Sequence, residues 1–254
     1  MKAQNLIHIA PGFGWFLGQF QDNQAHRHFA LQLSIVVDAP IQVYLPLAQE
    51  AVRTTNTLLI KPNVPHALSC TGYHLLLLFN PTSPQGHFWY RLAQASGQEL
   101  SHPVVTALRK LAHQCLSGHL KPDDFARQME GVLSPYDCTC QDYTHEGDGR
   151  IEQALVYLHA HAERVVPLAE IAAHCALSES RFLHLFKAQT GQTYRRAQLW
   201  IRLLQALPKL SQQVLTATAH EFGFSDSAHF SRTFKESFGF APQALLKHSQ
   251  FIQV

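Results

Sequence analysis

The stretch that decides the fold is "FGFSDSAHFSRTFKESFG", residues 222–239. Its later phenylalanines, Phe230, Phe234 and Phe238, recur every four residues, as side chains do on one face of an α-helix. The preceding Ser-Asp pair supplies N-cap residues, and Gly223 suits a tight turn before them. The stretch therefore predicts a turn, a cap and a short helix with an apolar back and a polar, positively charged front.

The same layout occurs twice along the chain. "LAEIAAHCALSESRFLHLFKAQTG" (168–191) aligns with "LTATAHEFGFSDSAHFSRTFKESFG" (215–239). Each copy has an alanine within a short helix, then a turn, a serine at the expected cap (Ser178 and Ser225), Phe-x-x-x-Phe-Lys and a closing glycine. A short helix, a turn and a second helix are the layout of a helix-turn-helix unit.

A longer helix is predicted between the two copies. "QTYRRAQLWIRLLQAL" occupies residues 192–207, and Pro208 should end or bend that helix. Two units joined in this way can place their second helices in successive major grooves, about 34 Å apart. Residues 150–254 hold 11 Lys/Arg against 7 Asp/Glu, whereas residues 1–149 hold 9 against 11. The C-terminal part is therefore the part suited to an acidic partner.

Residues 150–248 resemble the DNA-binding domain of AraC/XylS-type transcription regulators. "GFSDSAHFSRTFKESFGFAP" is close to the signature of that family, and "LAEIAAHCALSESRFLHLFK" is a looser match. The resemblance implies a regulator that binds promoter DNA and often responds to a small molecule. The chain departs from the family pattern at Leu183 and His184, where a small polar residue and an arginine are usual, and at Thr218 and Pro208.

The resemblance and the paired layout together indicate which side chains contact DNA. Arginine can reach a guanine edge with two hydrogen bonds, so Arg232 is predicted to read a base. Lys187 and Lys235 are predicted to contact phosphate. The complete predicted DNA-binding set is Ser180, Arg181, His184, Lys187, Ser227, Ala228, His229, Ser231, Arg232 and Lys235.

The first 80 residues predict short strands. Stretches such as "ALQLSIVV" and "YHLLLLF" are separated by turn residues, which indicates a small antiparallel barrel or sandwich. Residues 87–133 predict helices, with Val104, Leu108, Leu111 and Cys115 on one apolar stripe. "AHRHFALQL" and "LIKPNVPHAL" resemble the cupin-like sensor barrel that many AraC/XylS-type regulators carry.

These patterns predict an α+β protein. Residues 1–133 are expected to form a cupin-like antiparallel β-barrel with helices, which senses an effector or dimerises. Residues 134–149 are expected to be a linker, and residues 150–254 an all-α DNA-binding domain with helix-turn-helix units at about 168–187 and 215–235. Of the 254 residues, 46% are hydrophobic and 15% charged, which suits packed cores and argues against disorder.

Three histidines and a glutamine form a second candidate site. His26 and His28 are two residues apart on a predicted strand, so both side chains point to one face. With His66 and Gln32 they could bind a divalent transition metal, although Gln32 stands where cupin enzymes have glutamate. Alternatively, these side chains line an effector pocket or have a structural role.

The leading hypothesis is a sequence-specific DNA-binding transcription regulator that is not an enzyme and needs no cofactor. Its expected partners are double-stranded promoter DNA, a small-molecule effector, RNA polymerase and a second copy of the chain. The alternative is a metal-binding cupin, either a metal sensor or an enzyme, that carries a DNA-binding tail.

Composition also predicts where the protein works. No segment has the roughly 18 apolar residues of a membrane span, and the N-terminus lacks the layout of a signal peptide. Five cysteines, an odd number, fit reduced thiols, so a cytoplasmic protein without membrane partners is expected. Cys138, Cys140 and His145 form a weak zinc pattern that would need a fourth ligand.

Overall fold

The structure is a computed structural model of the chain. Its contacts divide the chain into two compact units, Met1–Cys138 with Lys235–Val254, and Thr139–Phe234. The last 20 residues thus group with the N-terminal part, and the domain boundaries drawn from sequence stay a prediction. The residues that the structure describes are 5–10, 12–19, 23–46, 52–81, 83–138, 148–246 and 249–252.

All described strands lie in the first unit. They form a seven-stranded sheet in the order β10-β1-β2-β8-β3-β6-β9 and a three-stranded sheet in the order β5-β4-β7. Pairs are antiparallel except β1 with β10, which is parallel. The strands are β1 (Asn5–Ala10), β2 (Phe13–Gly18), β3 (Leu31–Val36), β4 (Ile41–Tyr44), β5 (Arg53–Thr55), β6 (Thr57–Ile60), β7 (Ala67–Ser69), β8 (His74–Phe79), β9 (Gly97–Gln98) and β10 (Ser249–Phe251).

All six residues of β3 are buried, so both faces of this strand are covered. Gln32 and Ser34 alternate with its apolar residues, and the Gln32 amide nitrogen donates to the Ser34 hydroxyl oxygen. Leu33 of β3 packs into a core shared with helices, whereas Val36 packs into a core shared with the smaller sheet. The α+β class is confirmed. The described pairings divide the predicted barrel into two sheets, because β4 pairs with the short strands β5 and β7 and not with the larger sheet.

Three helices cover the outer face of the larger sheet: α1 (Pro84–Leu92), α2 (Pro103–Leu116) and α3 (Pro122–Leu133). The predicted stripe on α2 is buried except for Cys115, which is half-buried against the same core. Leu108 of this stripe shares a core with Trp89, Phe125 and Met129. Each of these helices has a proline in its first turn, where no backbone N–H is needed.

The second unit is helical. Its helices are α4 (Gly149–Ala160), α5 (Leu168–His174), α6 (Glu179–Thr190), α7 (Tyr194–Ala206), α8 (Leu215–Glu221) and most of α9 (Ser227–Phe238). As predicted, α7 ends just before Pro208, and a short 3₁₀ helix, Pro208–Ser211, follows. Among the described residues, no helix is long and apolar enough to cross a bilayer.

The end of the chain differs from the sequence prediction of helix throughout. After α10 (Pro242–Leu246), residues Ser249–Phe251 form β10 on the edge of β1. The His8 ring nitrogen Nδ1 also lies 2.9 Å from the carbonyl oxygen of Ile252. A three-residue strand has no periodicity of its own, so only its distant partner specifies it.

Candidate nucleic-acid interface

The two helix-turn-helix units have the same turn conformation. Helices α5 and α6 form the first helix-turn-helix unit, and helices α8 and α9 form the second helix-turn-helix unit. Ala176 in the first turn has φ +52°, and Gly223 in the second has φ +67°. Both residues are in the left-handed region, which glycine adopts freely and alanine does not.

Matching hydrogen bonds close the two turns. The Leu177 N–H donates to the Ala172 carbonyl at 2.9 Å, and the Phe224 N–H donates to the Ala219 carbonyl at 2.8 Å. Ala172 and Ala219 are buried, as expected for small residues where a second helix approaches. The internal repeat in the sequence is therefore a repeat in backbone geometry.

The helix caps correct one sequence assignment. Ser178 caps α6, because its side chain accepts a hydrogen bond from the Arg181 N–H at 3.3 Å. In the second unit the cap is Asp226, which accepts from the His229 N–H at 2.6 Å, and not Ser225. The second turn thus contains one more residue than the first.

Counted from these caps, α6 and α9 have the same pattern. Phenylalanine stands at the fourth and eighth positions, lysine at the ninth and glycine at the thirteenth. All four of these phenylalanines are fully buried: Phe182, Phe186, Phe230 and Phe234. The same count places His184 of α6 and Arg232 of α9 at equivalent positions.

The predicted DNA-binding side chains divide by exposure. Those that are exposed are Ser180, Arg181, His184, Lys187, Ala228, Arg232 and Lys235. Those that are half-buried are Ser227, His229 and Ser231. The exposed group includes every arginine and lysine of the predicted set, so a positively charged surface is available on both helices.

Two of the half-buried side chains are engaged within α9 and its turn. The Ser231 hydroxyl donates to the Ser227 carbonyl at 2.8 Å. The His229 ring lies edge-on to Phe224, with Nδ1 3.3 Å from the Ser225 Oγ. These contacts hold both side chains in fixed orientations on the exposed helix.

Arg202 is a residue whose role the sequence did not indicate. It lies on α7, is only 3% exposed, and donates from Nε to the Phe222 carbonyl at 2.6 Å. Its guanidinium carbon lies 4.6 Å from the centre of the Phe224 ring, a cation–π contact, and burial lowers its pKa to about 10. Arg202 thus supports the turn that precedes α9.

A polar cluster holds the first helix of the first helix-turn-helix unit. The Glu170 carboxylate on α5 accepts hydrogen bonds from Arg164 at 2.5 and 3.0 Å and from the Tyr157 hydroxyl at 2.7 Å. Arg164 is the main cause that lowers the pKa of Glu170 to about 2. The ion pair links α5 to the loop after α4.

The structure also brings together His26, His28, Gln32 and His66 in the first unit; we call these four residues the His–Gln cluster. All four side chains are buried, and His26 and His66 exchange backbone hydrogen bonds of 2.9 Å. One ligand nitrogen from each histidine lies within 4.8 Å of the others. Burial lowers the pKa of His26 to about 3 and also lowers the pKa values of His28 and His66, so all three rings are neutral at pH 7.

The weak zinc pattern is only partly visible. Cys138 has its Sγ 3.2 Å from Nδ1 of His87. Cys140 and His145 lie outside the described residues, so that prediction stays a prediction.

Known proteins match this chain most closely over its C-terminal region. A family model described as a helix-turn-helix domain matches residues 171–248. The HTH-type transcriptional regulator YidL of Escherichia coli is 38% identical over 102 residues, which cover 39% of this chain and 34% of that protein. The arabinose operon regulatory protein of Escherichia coli is 34% identical over 98 residues, which cover 37% and 34%. The matched region spans about a third of the length of these relatives.

Similarity over the whole chain is seen in three dimensions. The structure of unsaturated fatty acid bound wild-type ToxT from Vibrio cholerae gives a TM-score of 0.58 at 13% identity, with 98% of each chain covered. At that identity the likeness shows a common fold, with a sheet-rich N-terminal part and a helical C-terminal part. The C-terminal region therefore carries a helix-turn-helix domain that is similar to the one in AraC-type transcription regulators, as the sequence predicted.

Proposed function

We propose that the protein is a sequence-specific transcription regulator that binds promoter DNA through α6 and α9. The observation that carries this proposal is the repeated geometry of the two units. Both turns have a residue in the left-handed region and a matching closing hydrogen bond. Counted from the caps, one exposed position, His184 in α6 and Arg232 in α9, then stands at the same place in each helix. A duplicated helix-turn-helix unit suits binding to DNA, because each recognition helix can enter one of two successive major grooves. An enzyme active site would not require such a repeat.

The proposed contacts follow from the chemistry of each side chain. Arg232 reads a guanine through two hydrogen bonds, and His184 contacts the equivalent base of the other half of the site. Lys187 and Lys235, one residue after the second buried phenylalanine of each helix, contact phosphate. The remaining proposed contacts to bases or backbone are Ser180, Arg181, Ser227, Ala228, His229 and Ser231.

The compact unit that contains all the described strands, Met1–Cys138 with Lys235–Val254, is proposed to be the sensor. The ToxT structure of the same fold is bound to an unsaturated fatty acid, which supports a small-molecule effector in this architecture. RNA polymerase and a second copy of the chain are further proposed partners. The matched relatives are named as regulators, which supports regulation over the alternative of a metal-dependent cupin enzyme.

The test is selection of the full-length protein against a pool of random duplexes. Enrichment of one motif is expected, with affinity that falls as salt rises because phosphate contacts release counterions. A variant with Arg181, His184 and Arg232 all replaced by alanine should lose the motif. The control is Arg127→Ala, which removes an exposed arginine of α3 that pairs with Asp124. A folded protein that enriches no sequence would contradict the proposal.

A further inference from the structure

We propose that the His–Gln cluster is a binding site for a divalent transition-metal ion, with His26, His28 and His66 as nitrogen ligands and Gln32 as an oxygen ligand. The site goes beyond the sequence-based expectation of no cofactor. We further infer that the ion acts as an effector. This role rests on the proposed regulatory function, whereas the existence of the site does not.

The first argument is the orientation of the three imidazole rings. Nδ1 of His26, His28 and His66 lies 3.0, 3.0 and 2.8 Å from the backbone carbonyl oxygens of Gln24, Ala30 and Val64, respectively. A carbonyl oxygen only accepts hydrogen bonds, so each Nδ1 carries the proton and each neutral ring has its lone pair on Nε2. Histidines that bind metals are commonly fixed in this way by a carbonyl partner.

The second argument is what those lone pairs meet. The Oε1 atom of Gln32 lies 2.9 Å from Nε2 of His28 and 3.2 Å from Nε2 of His66, while the Gln32 amide nitrogen donates to Ser34 Oγ at 3.0 Å. Two ring nitrogens and one amide oxygen, all with lone pairs, thus converge in one buried place. A cation between them would accept all three lone pairs. The metal-free solution is a reversed amide that donates to both rings.

The distances suit a small ion. Ligands about 2.05 Å from a tetrahedral ion lie about 3.3 Å from one another. The Nε2 to Oε1 distances of 2.9 and 3.2 Å are already close to that spacing. The ring centres of the three histidines are 4.3 to 5.8 Å apart, so slight ring movements complete the set.

The ligand types select the class of ion. Three imidazoles and one amide oxygen suit zinc, nickel, copper or cobalt, whereas magnesium and calcium prefer oxygen ligands. These four ligands carry no negative charge when the rings are neutral, so they bind more weakly than a set with a thiolate or carboxylate. Weak, reversible binding suits a sensor more than a permanent structural site.

The position of the cluster gives the ion something to act on. The Gln24 N–H donates to the carbonyl of Gly239 at 2.9 Å, within the same unit. Gly239 directly follows α9, the proposed DNA-reading helix. Nδ1 of His26 is hydrogen-bonded to the Gln24 carbonyl. Movement of His26 upon metal binding would therefore shift Gln24 and, through it, Gly239, the residue that closes α9.

The experiment uses full-length protein without an affinity tag, stripped of metal and titrated with Co²⁺. We expect one equivalent to bind with the intense visible absorption of a tetrahedral site, and Zn²⁺ to displace it. The double variant His28→Ala/His66→Ala should lose this spectrum. Two controls, His119→Ala and Cys138→Ser, should keep it.

Gln32→Glu separates a metal site from a structural cluster. The added negative charge should raise cobalt affinity at least tenfold, whereas a purely structural cluster would only be destabilised by a buried carboxylate. An absent spectrum, or one that survives the double histidine variant, would overturn the inference. DNA selection on the same samples keeps the two proposals apart: DNA binding without metal binding overturns the site alone, and metal binding without DNA binding overturns the function alone.

Discussion

His184 and Arg232 occupy equivalent positions in α6 and α9 but differ in chemistry. Arginine presents two parallel donors from one planar guanidinium group, whereas the two ring nitrogens of histidine point in different directions and only one of them can face a base edge. Both side chains are exposed. We therefore expect the second helix-turn-helix unit to discriminate between bases more strictly than the first helix-turn-helix unit.

Arg232→Ala should cost about 1–3 kcal/mol at the preferred site and relax preference at one base position. Lys235→Ala should weaken all sequences by a similar factor and reduce the salt slope by about one, because a phosphate contact is lost. The measurement is competition binding over all single-base variants of the selected motif at several salt concentrations. If both variants show the same sequence-independent loss, Arg232 does not read a base.

The limits of prediction at this scale follow from where partners lie in the chain. The exposed arginines and lysines of α6 and α9 followed from helical periodicity, which is local. The role of Arg202 did not, because its partner is a backbone carbonyl 20 residues away. Ser225 and Asp226 are both good cap residues, so residue type alone could not choose between them.

At the scale of elements, the two turns share a left-handed position and the hydrogen bond that closes it, but different residues occupy that position. Glycine is favoured there, and an alanine at positive φ carries a cost of about 1–2 kcal/mol. Ala176 therefore holds an unfavourable conformation that Gly223 avoids. The sequence showed both turns, but it could not show that they share this conformation, because alanine gives no signal for positive φ.

Ala176→Gly should stabilise the helical compact unit, Thr139–Phe234, by about 0.5–1 kcal/mol. This figure is the strain that is relieved less the entropy that glycine adds to the unfolded chain. Gly223→Ala should destabilise it, because a new Cβ would lie 3.3 Å from Arg164 backbone atoms at φ +67°. Hydrogen exchange at the Leu177 and Phe224 amides measures both effects. Lower protection in Ala176→Gly would contradict this account.

The bond between α5 and the loop after α4 should depend on pH. The pKa of Glu170 is lowered in the folded protein to about 2, so its ion pair stabilises the fold above the unfolded pKa of about 4.3. This contribution should be lost as pH falls from about 5 towards 2. The thermal stability of the wild type relative to Glu170→Gln should therefore shrink from pH 7 to about pH 3.

Glu179→Gln is the matched control for this titration. It removes an exposed carboxylate from the first turn of α6 and should show no comparable change with pH. A difference between wild type and Glu170→Gln that stays constant down to pH 3 would show that the carboxylate does not titrate as proposed.

At the scale of the whole molecule, the pattern of the sequence predicted the main strands and helices but not their arrangement. "ALQLSIVV" and "YHLLLLF" correctly indicated β3 and β8, because buried strands are apolar. Which strands pair, and that they form two sheets, depends on contacts between distant residues. The pairing of β1 with β10 joins residues 244 positions apart, as in Asn5 with Ser249.

Ile252 should be the side chain through which the end of the chain stabilises the first unit. It is buried in the core that contains Leu6 and Trp15, and its N–H donates to the Ile7 carbonyl at 2.7 Å. Ile252→Ala should cost about 2–4 kcal/mol by removing buried apolar surface and leaving a cavity. Gln250→Ala, an exposed position on β10, should cost less than about 0.5 kcal/mol.

Hydrogen exchange of the intact protein distinguishes a local role for Ile252 from a global one. The amides of β1 should lose protection in Ile252→Ala, because β1 is hydrogen-bonded to only two strands and β10 is one of them. Amides of α4 to α7 should keep theirs, because those helices lie in the other compact unit. Unchanged protection of β1 would show that β10 contributes little to the sheet, and equal losses in both units would show that the chain unfolds as a single cooperative body.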